Sequence, residues 1–320
     1  MGAAAALLTT APGARARGVV AQTRAASIDT GLLQALHGGF NGRVHSVFER
    51  VVNVEHGGSG EMFTLACRGM DNAPHTAILR LAGFGACGIA GGDAVRADAQ
   101  GIWLGERLQI MLADAAPWEC TLPAYPADSS RLRTNLRWLQ AELDRLDAAG
   151  GMLAPPRGGS AFEVAVADML AQRSAQLADA LARGDHAAAR GHAVSLFGLG
   201  PGLTPSGDDF LVGLFAVFNI AGSPCQGWLG GGAEVLGSAA RATHAISLAA
   251  LRQAARGRVR ESIAALIGQL MHGTPGHLAP ALRRVLAIGS TSGADIVAGV
   301  RCGLELNISH EGRRSCQSRW

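Results

Sequence analysis

A glycine-rich stretch at residues 198–209 constrains the fold more than any other part of the chain. It reads Gly-Leu-Gly-Pro-Gly-Leu-Thr-Pro-Ser-Gly-Asp-Asp, and its alternating glycines allow sharp bends and a close approach to a ligand. Apolar residues then recur at helical spacing, which predicts a helix, at Phe210, Leu211, Leu214, Phe215 and Phe218. A helix start behind a glycine loop offers free amides and a positive dipole end, which favours an anion site.

Two alignments of this helix start are open. Ser206 can cap the first turn while Asp209 returns the bond, or Thr204 can be the cap with Pro205 as the first helical residue. In either case a hydroxyl supplies the one acceptor that a cap needs, so the adjacent Asp208 and Asp209 exceed the structural requirement. We therefore predict both as catalytic candidates. Their side chains point about 100° apart on a helix, so one faces the ligand and the other holds an arginine or a backbone amide.

A second copy of the pattern lies near the C-terminus. Ser292-Gly293-Ala294-Asp295, followed by Gly299, matches the first copy with its Gly213. Two such starts predict a pseudo-symmetric pair of helices whose N-termini converge on one pocket, within roughly 15 Å, since pockets hold compact ligands. The alternative is a pair of ordinary capping boxes.

The remaining pattern predicts an α+β fold in two domains. Residues 17–123 contain short valine-rich segments and glycine turns, which predict a β-rich barrel or sandwich. Residues 124–306 are mainly helical and carry both glycine-rich helix N-termini, and residues 307–320 are predicted to be a disordered tail. One helical face carries a leucine stripe, at Leu132, Leu136, Leu139, Leu143 and Leu146. Thr243 and Ser247 are expected four residues apart on one long helix, facing a ligand or bonding a preceding carbonyl.

Composition restricts the chemistry. The chain has no lysine, since all 28 basic residues are arginine, which excludes a phosphate-binding Walker lysine, a Schiff base and a pyridoxal cofactor. A net charge of +3 does not call for nucleic acid or an anionic membrane, and the longest apolar run, 210–222, is too short to span a bilayer. The six cysteines form no Cys-x-x-Cys pair, which is typical of reduced thiols in the cytoplasm. Asp208, Asp209 and Asp295 could hold a cation, but we predict no metal and no cofactor.

The stretch 198–209 resembles the signature of the AllH-like family, once described as a domain of unknown function and now linked to bacterial oxamate carbamoyltransferase. The resemblance runs from about residue 17 to 305. Four further segments are similar to the family: Asp71-Asn72-Ala73-Pro74, Ala115-Ala116-Pro117-Trp118, Thr243 to Ser247, and Ile288 to Asp295.

The resemblance implies a subunit of a multi-subunit enzyme that transfers a carbamoyl group between oxalurate and phosphate, giving oxamate and carbamoyl phosphate, in allantoin and purine breakdown. Its partners would be other subunits of the complex and a small anionic substrate (carbamoyl phosphate, oxamate or oxalurate). The alternative is a non-catalytic subunit that binds a small anion or acts as a scaffold.

The motifs and the resemblance together give a set of predicted ligand-binding residues: Gly200, Gly202, Thr204, Ser206, Gly207, Asn72, Thr243, Ser247, Ser292, Gly293 and Asp295. We expect the site mainly in the helical domain, with the β-rich domain contributing an edge near Asn72.

Overall fold

A computed structural model describes residues 21–146, 151–152, 159–226 and 232–317. Predictions for residues 17–20 and 318–320 lie outside the described residues. No helix within these ranges is both long and apolar enough to cross a membrane.

The N-terminal part is a closed barrel. Its strands are β1 (Ala21–Asp29), β2 (Phe40–Val47), β3 (Val51–His56), β4 (Met62–Cys67), β5 (Thr76–Leu79), β6 (Ala94–Asp98), β7 (Gly101–Leu104) and β8 (Leu108–Met111), and β9 (Ala116–Trp118) lies parallel to β1. The order is β5-β4-β3-β2-β6-β7-β8-β1, and β1 pairs again with β5. The β-rich fold is therefore confirmed, as a barrel and not a sandwich.

A helix not predicted from the sequence covers part of the barrel core. Helix α1 (Thr30–Gly38) follows β1 directly and buries Leu32 and Leu36. Asp29 caps it by accepting hydrogen bonds from the amides of Gly31 and Leu32. This aspartate is fully buried and also takes part in the junction between the barrel and the helices, described below.

The second part is helical, as predicted. Its helices are α2 (Ser130–Leu146), α3 (Ala161–Arg183), α4 (His186–Leu196), α5 (Ser206–Phe218), α6 (Gly232–Ala242), α7 (Ala245–Ala254), α8 (Glu261–His272), α9 (Pro275–Leu286) and α10 (Ser292–Gln317). The leucine stripe of α2 is buried, except for the last residue, Leu146.

Helix α10 continues through most of the segment predicted to be a disordered tail. Asn307 is fully buried, and its side-chain oxygen accepts hydrogen bonds from the Ser223 hydroxyl and the Cys225 amide, both at 2.8 Å. A buried polar side chain with these partners fixes the helix beyond residue 306. Asn307 is therefore part of the packed fold, and the helix continues to Gln317.

Helices α5 and α10 cross with their backbones in contact. A Cβ atom added at Gly213 would collide with the Ile296 carbonyl oxygen, and one added at Gly299 would collide with the Phe210 carbonyl oxygen. Each glycine lies seven residues after the serine of its own motif and meets the residue four positions after the serine of the other motif. The crossing therefore has approximate two-fold symmetry, as the repeated pattern predicts.

Candidate functional site

A cavity of about 620 Å³ lies between the barrel and the helical part. The barrel contributes β3, β4 and the segment that leads into β5, including Phe48, Asn53, Met62, Thr64, Met70 and His75. The helices contribute Thr204, Asp209, Gln253, Arg260, Ser292 and Ile296, among others. The barrel thus forms a complete wall of the cavity, not only the edge that the sequence analysis predicted.

Both glycine motifs contribute to one polar corner of this cavity. The Thr204 and Ser292 hydroxyls hydrogen-bond each other, with their oxygens 3.0 Å apart, and both lie close enough to the Asp209 carboxyl to lower its pKa. Asp209 is 6% exposed, and its Oδ2 has no hydrogen-bond partner among the described residues. The two helix starts therefore meet directly.

Burial raises the pKa of the Asp209 carboxyl to about 8. The negative charges of Asp295 and Asp208 act in the same direction, while the Ser292 and Thr204 hydroxyls oppose the shift. The carboxyl is therefore largely protonated at neutral pH, when most aspartates are charged. A proton-carrying group with such a pKa at a cavity wall is suited to acid and base chemistry.

Asp208 points the other way and ties the glycine loop to the neighbouring helices. Its carboxylate accepts hydrogen bonds from the Gly198 amide, at 3.0 Å, and from the Thr243 hydroxyl. Burial raises the pKa of Asp208, and the hydrogen bonds from Thr243, Gly198 and Ser247 oppose the shift. The geometry follows the predicted division, with one aspartate at the cavity and the other on a backbone amide.

Thr243 and Ser247 do not share one helix as predicted, because α6 ends at Ala242 and α7 begins at Ala245. The Thr243 hydroxyl donates to the Asp208 carboxylate, whereas the Ser247 hydroxyl donates to the Leu203 carbonyl oxygen at 3.5 Å, and neither residue lines the cavity. In this structure both hydroxyls satisfy buried acceptors of the protein.

We expect Asp208→Asn to lower the free energy of unfolding by about 1.5–3 kcal/mol, because the amide cannot accept from both donors at once. Urea denaturation would measure the loss, and hydrogen exchange should show faster exchange of the Gly198 amide. An unchanged free energy of unfolding would contradict this tie.

The second copy of the motif is closed by the chain itself. Asp295 is fully buried, and its Oδ1 accepts a hydrogen bond from the Met152 amide at 2.5 Å. Burial raises the pKa of Asp295 to about 6, against hydrogen bonds from Met152, Ser206 and Thr291. Ser206 thus lies beside the aspartate of the other motif, as Ser292 lies beside Asp209, and Ser206 does not line the cavity.

Neither predicted capping alignment of α5 forms. The N-cap residue is Pro205, with no side-chain cap, because the Thr204 hydroxyl bonds the Ser292 hydroxyl and the Ser206 side chain lies beside Asp295 instead. The Gly207 amide donates to Leu199 O, and the amides of Asp208 and Asp209 donate to Pro205 O. These helix-start amides are therefore already used and do not provide the predicted anion site.

The predicted glycines act through the backbone. Gly200 has a φ of +123°, and a Cβ atom there would lie 2.7 Å from the Ser206 nitrogen. Gly202 also has a positive φ, of +90°, with open space around it. Gly207 and Gly293 lie against the Leu196 and Val285 carbonyls, where a side chain would collide. None of these four glycines lines the cavity.

Asn72 connects the barrel to α8 and does not line the cavity. Its side-chain oxygen accepts from the Ser27 hydroxyl at 2.5 Å, and its amide nitrogen donates to Glu261 at 3.0 Å. Its backbone carbonyl also accepts from the Glu261 amide at 2.9 Å. With both ends engaged, Asn72 positions the start of α8, so the site prediction for this residue does not match its contacts.

The positive charge at the cavity comes from arginines that sequence reasoning missed. Arg260 lines the cavity, and no hydrogen bond or ion pair engages its guanidinium within the described part of the chain. Burial lowers its pKa, while the charges of Asp71 and Asp209 oppose the shift. The signal was the pair Arg258-Val-Arg260 directly before an apolar helix, where an arginine is placed at the positive end of a helix dipole and so needs an anion.

Arg258 instead joins the two parts of the fold. Its Nη2 lies 2.6 Å from Asp29 Oδ2, while its Nε is buried without a partner among the described residues. Asp29 also accepts from the backbone amide of His75 at 2.8 Å. The Asp29 carboxylate therefore caps α1, holds His75 in the cavity wall and pairs with Arg258 just before α8.

His75 is the one residue other than glycine with a positive φ, +56°, in the described chain. Its ring lies against Phe63, and Gln253 Nε2 lies 3.1 Å from its Nε2. Burial lowers the pKa of His75, against the charges of Glu61 and Asp29, so the ring is neutral at pH 7. Backbone strain of this kind persists where surrounding contacts enforce it, often at a functional site.

Among the described residues, no three His, Cys, Asp or Glu side chains come together as a possible metal site.

Two family models match the chain. One, described as oxamate carbamoyltransferase subunit AllH, matches residues 196–304, and the other, the AllH family N-terminal domain, matches residues 24–117. No solved structure shows a significant match.

Proposed function

The chain belongs to the AllH family, whose members are described as subunits of oxamate carbamoyltransferase, and we propose that its cavity between barrel and helices binds the substrates of that enzyme. The reaction would transfer a carbamoyl group between oxalurate and phosphate, giving oxamate and carbamoyl phosphate, in allantoin and purine catabolism. A cytoplasmic location is part of this proposal, supported by Cys67, Cys87, Cys120 and Cys302, which are not joined in disulfides within the described part of the chain.

One observation carries the proposal. An unpaired guanidinium, Arg260, and a carboxyl with a raised pKa, Asp209, belong to the same cavity and lie close enough to interact. Each substrate carries a phosphate or a carboxylate, which Arg260 can bind in a bidentate manner. In either direction, the carbamoyl transfer also adds a proton to an amide nitrogen or removes one. Asp209 can donate or accept that proton.

The proton balance is simple. Phosphate attacks the ureido carbonyl of oxalurate, the bond to the oxamate nitrogen breaks, and protonated Asp209 gives its proton to that nitrogen. Asp209 then regains a proton from the hydroxyl of the attacking phosphate. Thr204 and Ser292 lie beside this carboxyl, and their hydroxyls favour its charged form after the proton has left.

The second candidate is a subunit that binds the anion without catalysis while a partner subunit carries out the reaction. The exposed rim residues Phe48, 43% exposed, and Leu203, 48% exposed, favour it, since both line the cavity and are available to another chain. The two candidates predict the same binding but different consequences of changing Asp209.

We expect Arg260→Gln to weaken binding of oxamate and carbamoyl phosphate about 10- to 100-fold, because a charge-assisted hydrogen bond is lost. Isothermal titration calorimetry on the full chain would measure this. Arg252→Gln is the matched control, because Arg252 is exposed on α7 and does not line the cavity. Equal affinities for both variants would place the anion elsewhere and contradict the proposed site.

A further inference from the structure

The two glycine motifs form an approximate two-fold arrangement that extends beyond the helix crossing. Ser292 lies beside Asp209 and Ser206 lies beside Asp295, and each hydroxyl lowers the pKa of the aspartate it faces, so each serine faces the aspartate of the other motif. Each aspartate also keeps one buried oxygen, Oδ2, without a partner in the described residues. Asp209 and Asp295 therefore have equivalent neighbours on the side where the two helix starts meet, and they differ only in what lies on the opposite side of each carboxyl.

The turns that precede the two helices each place a glycine of positive φ against the helix-start serine. Gly200 and Gly289 have φ values of +123° and +60°. A Cβ atom on Gly200 would lie 3.3 Å from the Cβ of Ser206, and one on Gly289 would lie 3.3 Å from the Cβ of Ser292. The loops differ in length and backbone angle, so the equivalence is limited to this close packing of glycine against serine.

The outermost contact is where the two halves differ. Asp295 accepts the backbone N–H of Met152, and Gly151, with a φ of +61°, packs so closely that a Cβ atom would collide with the carboxylate. Asp209 receives no backbone amide from the described chain and lines the cavity instead. One half is therefore closed by a peptide group, and the other is left for a ligand.

From this equivalence we infer that Asp209 accepts an amide N–H of the ligand, in the position that the Met152 N–H occupies against Asp295. The chain itself shows that this arrangement of serine, aspartate and glycine turn accommodates a planar amide. The inference rests on the proposed function and deepens it. It makes Asp209 the residue that selects a carbamoyl or amide group over a group of the same shape without N–H.

Two matched ligand pairs test this selection. Oxamate and pyruvate have the same charge and shape but differ by NH2 against CH3, and carbamoyl phosphate and acetyl phosphate differ in the same way. We expect the full chain to bind at least one amide ligand about 10- to 100-fold more tightly than its methyl counterpart, because a site built for a donor leaves its acceptor unpaired with the analogue.

Two variants connect the preference to Asp209. Asp209→Leu removes the acceptor and should reduce the preference to within about threefold, while Asp209→Asn keeps an acceptor oxygen and should retain part of it. Thermal melting checks that each variant is folded. If Asp209→Leu does not fold, Asp209→Asn and the wild-type ratios still decide the question.

The outcomes separate the inference from the proposed function. The inference would be overturned by any of three results. The amide ligand and its methyl counterpart bind equally in both pairs, none of the four ligands binds, or a folded Asp209→Leu protein keeps the preference for the amide ligand. A preference without turnover in the assembled complex would support the inference and sink a catalytic role for this subunit. Turnover without the preference for amide ligands would support a catalytic role for this subunit and contradict the inference.

Discussion

In the assembled enzyme, Asp209→Asn is expected to lower turnover about 100- to 10,000-fold, the range that a positioned general acid or base contributes. Asparagine keeps the shape and an acceptor oxygen but cannot give up a proton at this position. Ligand affinity should therefore change much less than turnover. Steady-state kinetics of oxalurate phosphorolysis, with the partner subunits present, would measure both effects.

The pH dependence of stability provides an independent check on the state of Asp209. Its pKa is raised to about 8 in the folded chain, against about 3.9 for an unperturbed aspartate. A raised pKa stabilises the fold fully below the unfolded value, and this contribution is lost as the pH rises through the folded value. The wild type should therefore lose stability relative to Asp209→Asn between about pH 4 and pH 8, by about 1.4 kcal/mol for each pH unit within that window.

Urea denaturation of both proteins at about pH 5 and about pH 9 would reveal this difference. If the difference in unfolding free energy is the same at both pH values, Asp209 is charged throughout, and the role as an acid fails. If turnover of Asp209→Asn is normal, the carboxyl is structural, and the non-catalytic subunit becomes the better description.

The sequence was informative where a local pattern decides the outcome. The echo of Ser206-Gly-x-Asp209 in Ser292-Gly-x-Asp295 was enough to predict that two helix starts meet, because glycine at matching positions permits a close crossing. The separation of about 100° between adjacent helical side chains was enough to predict that Asp208 and Asp209 have different partners.

The remaining features depend on contacts between distant parts of the chain. A hydroxyl at a helix start is typically a cap, but here Ser206 lies beside a buried carboxylate of another helix, Asp295, and lowers the pKa of that carboxyl. Asn72 resembled a ligand-binding turn, yet its partner is Glu261, 189 residues away. The position of Arg260 before an apolar helix was a signal for an anion contact, but only the fold shows that no carboxylate of the described chain pairs with its guanidinium, whereas Arg258, two residues earlier, pairs with Asp29.

The second large effect concerns the helix crossing that creates the site. We expect Gly299→Ala to lower the free energy of unfolding by about 3 kcal/mol or more, as severe overpacking does. The added methyl would collide with the Phe210 carbonyl oxygen and lie 3.0 Å from the Leu214 nitrogen, and backbone atoms cannot move aside as a flexible side chain can. Gly213→Ala should behave alike, since its Cβ would meet the Ile296 carbonyl oxygen and lie 2.8 Å from the Val300 nitrogen.

The control is a glycine in a helix with free space around it. Gly191 is exposed within α4, and a Cβ atom there would meet nothing within 4 Å. Gly191→Ala should raise stability by about 0.5–1 kcal/mol through helix propensity alone. Opposite signs for the two substitutions in urea denaturation would show that the crossing requires glycine. A Gly299→Ala protein as stable as Gly191→Ala would mean that α5 and α10 are farther apart, and the reciprocal contacts of Asp209 with Ser292 and of Asp295 with Ser206 would then have no structural basis.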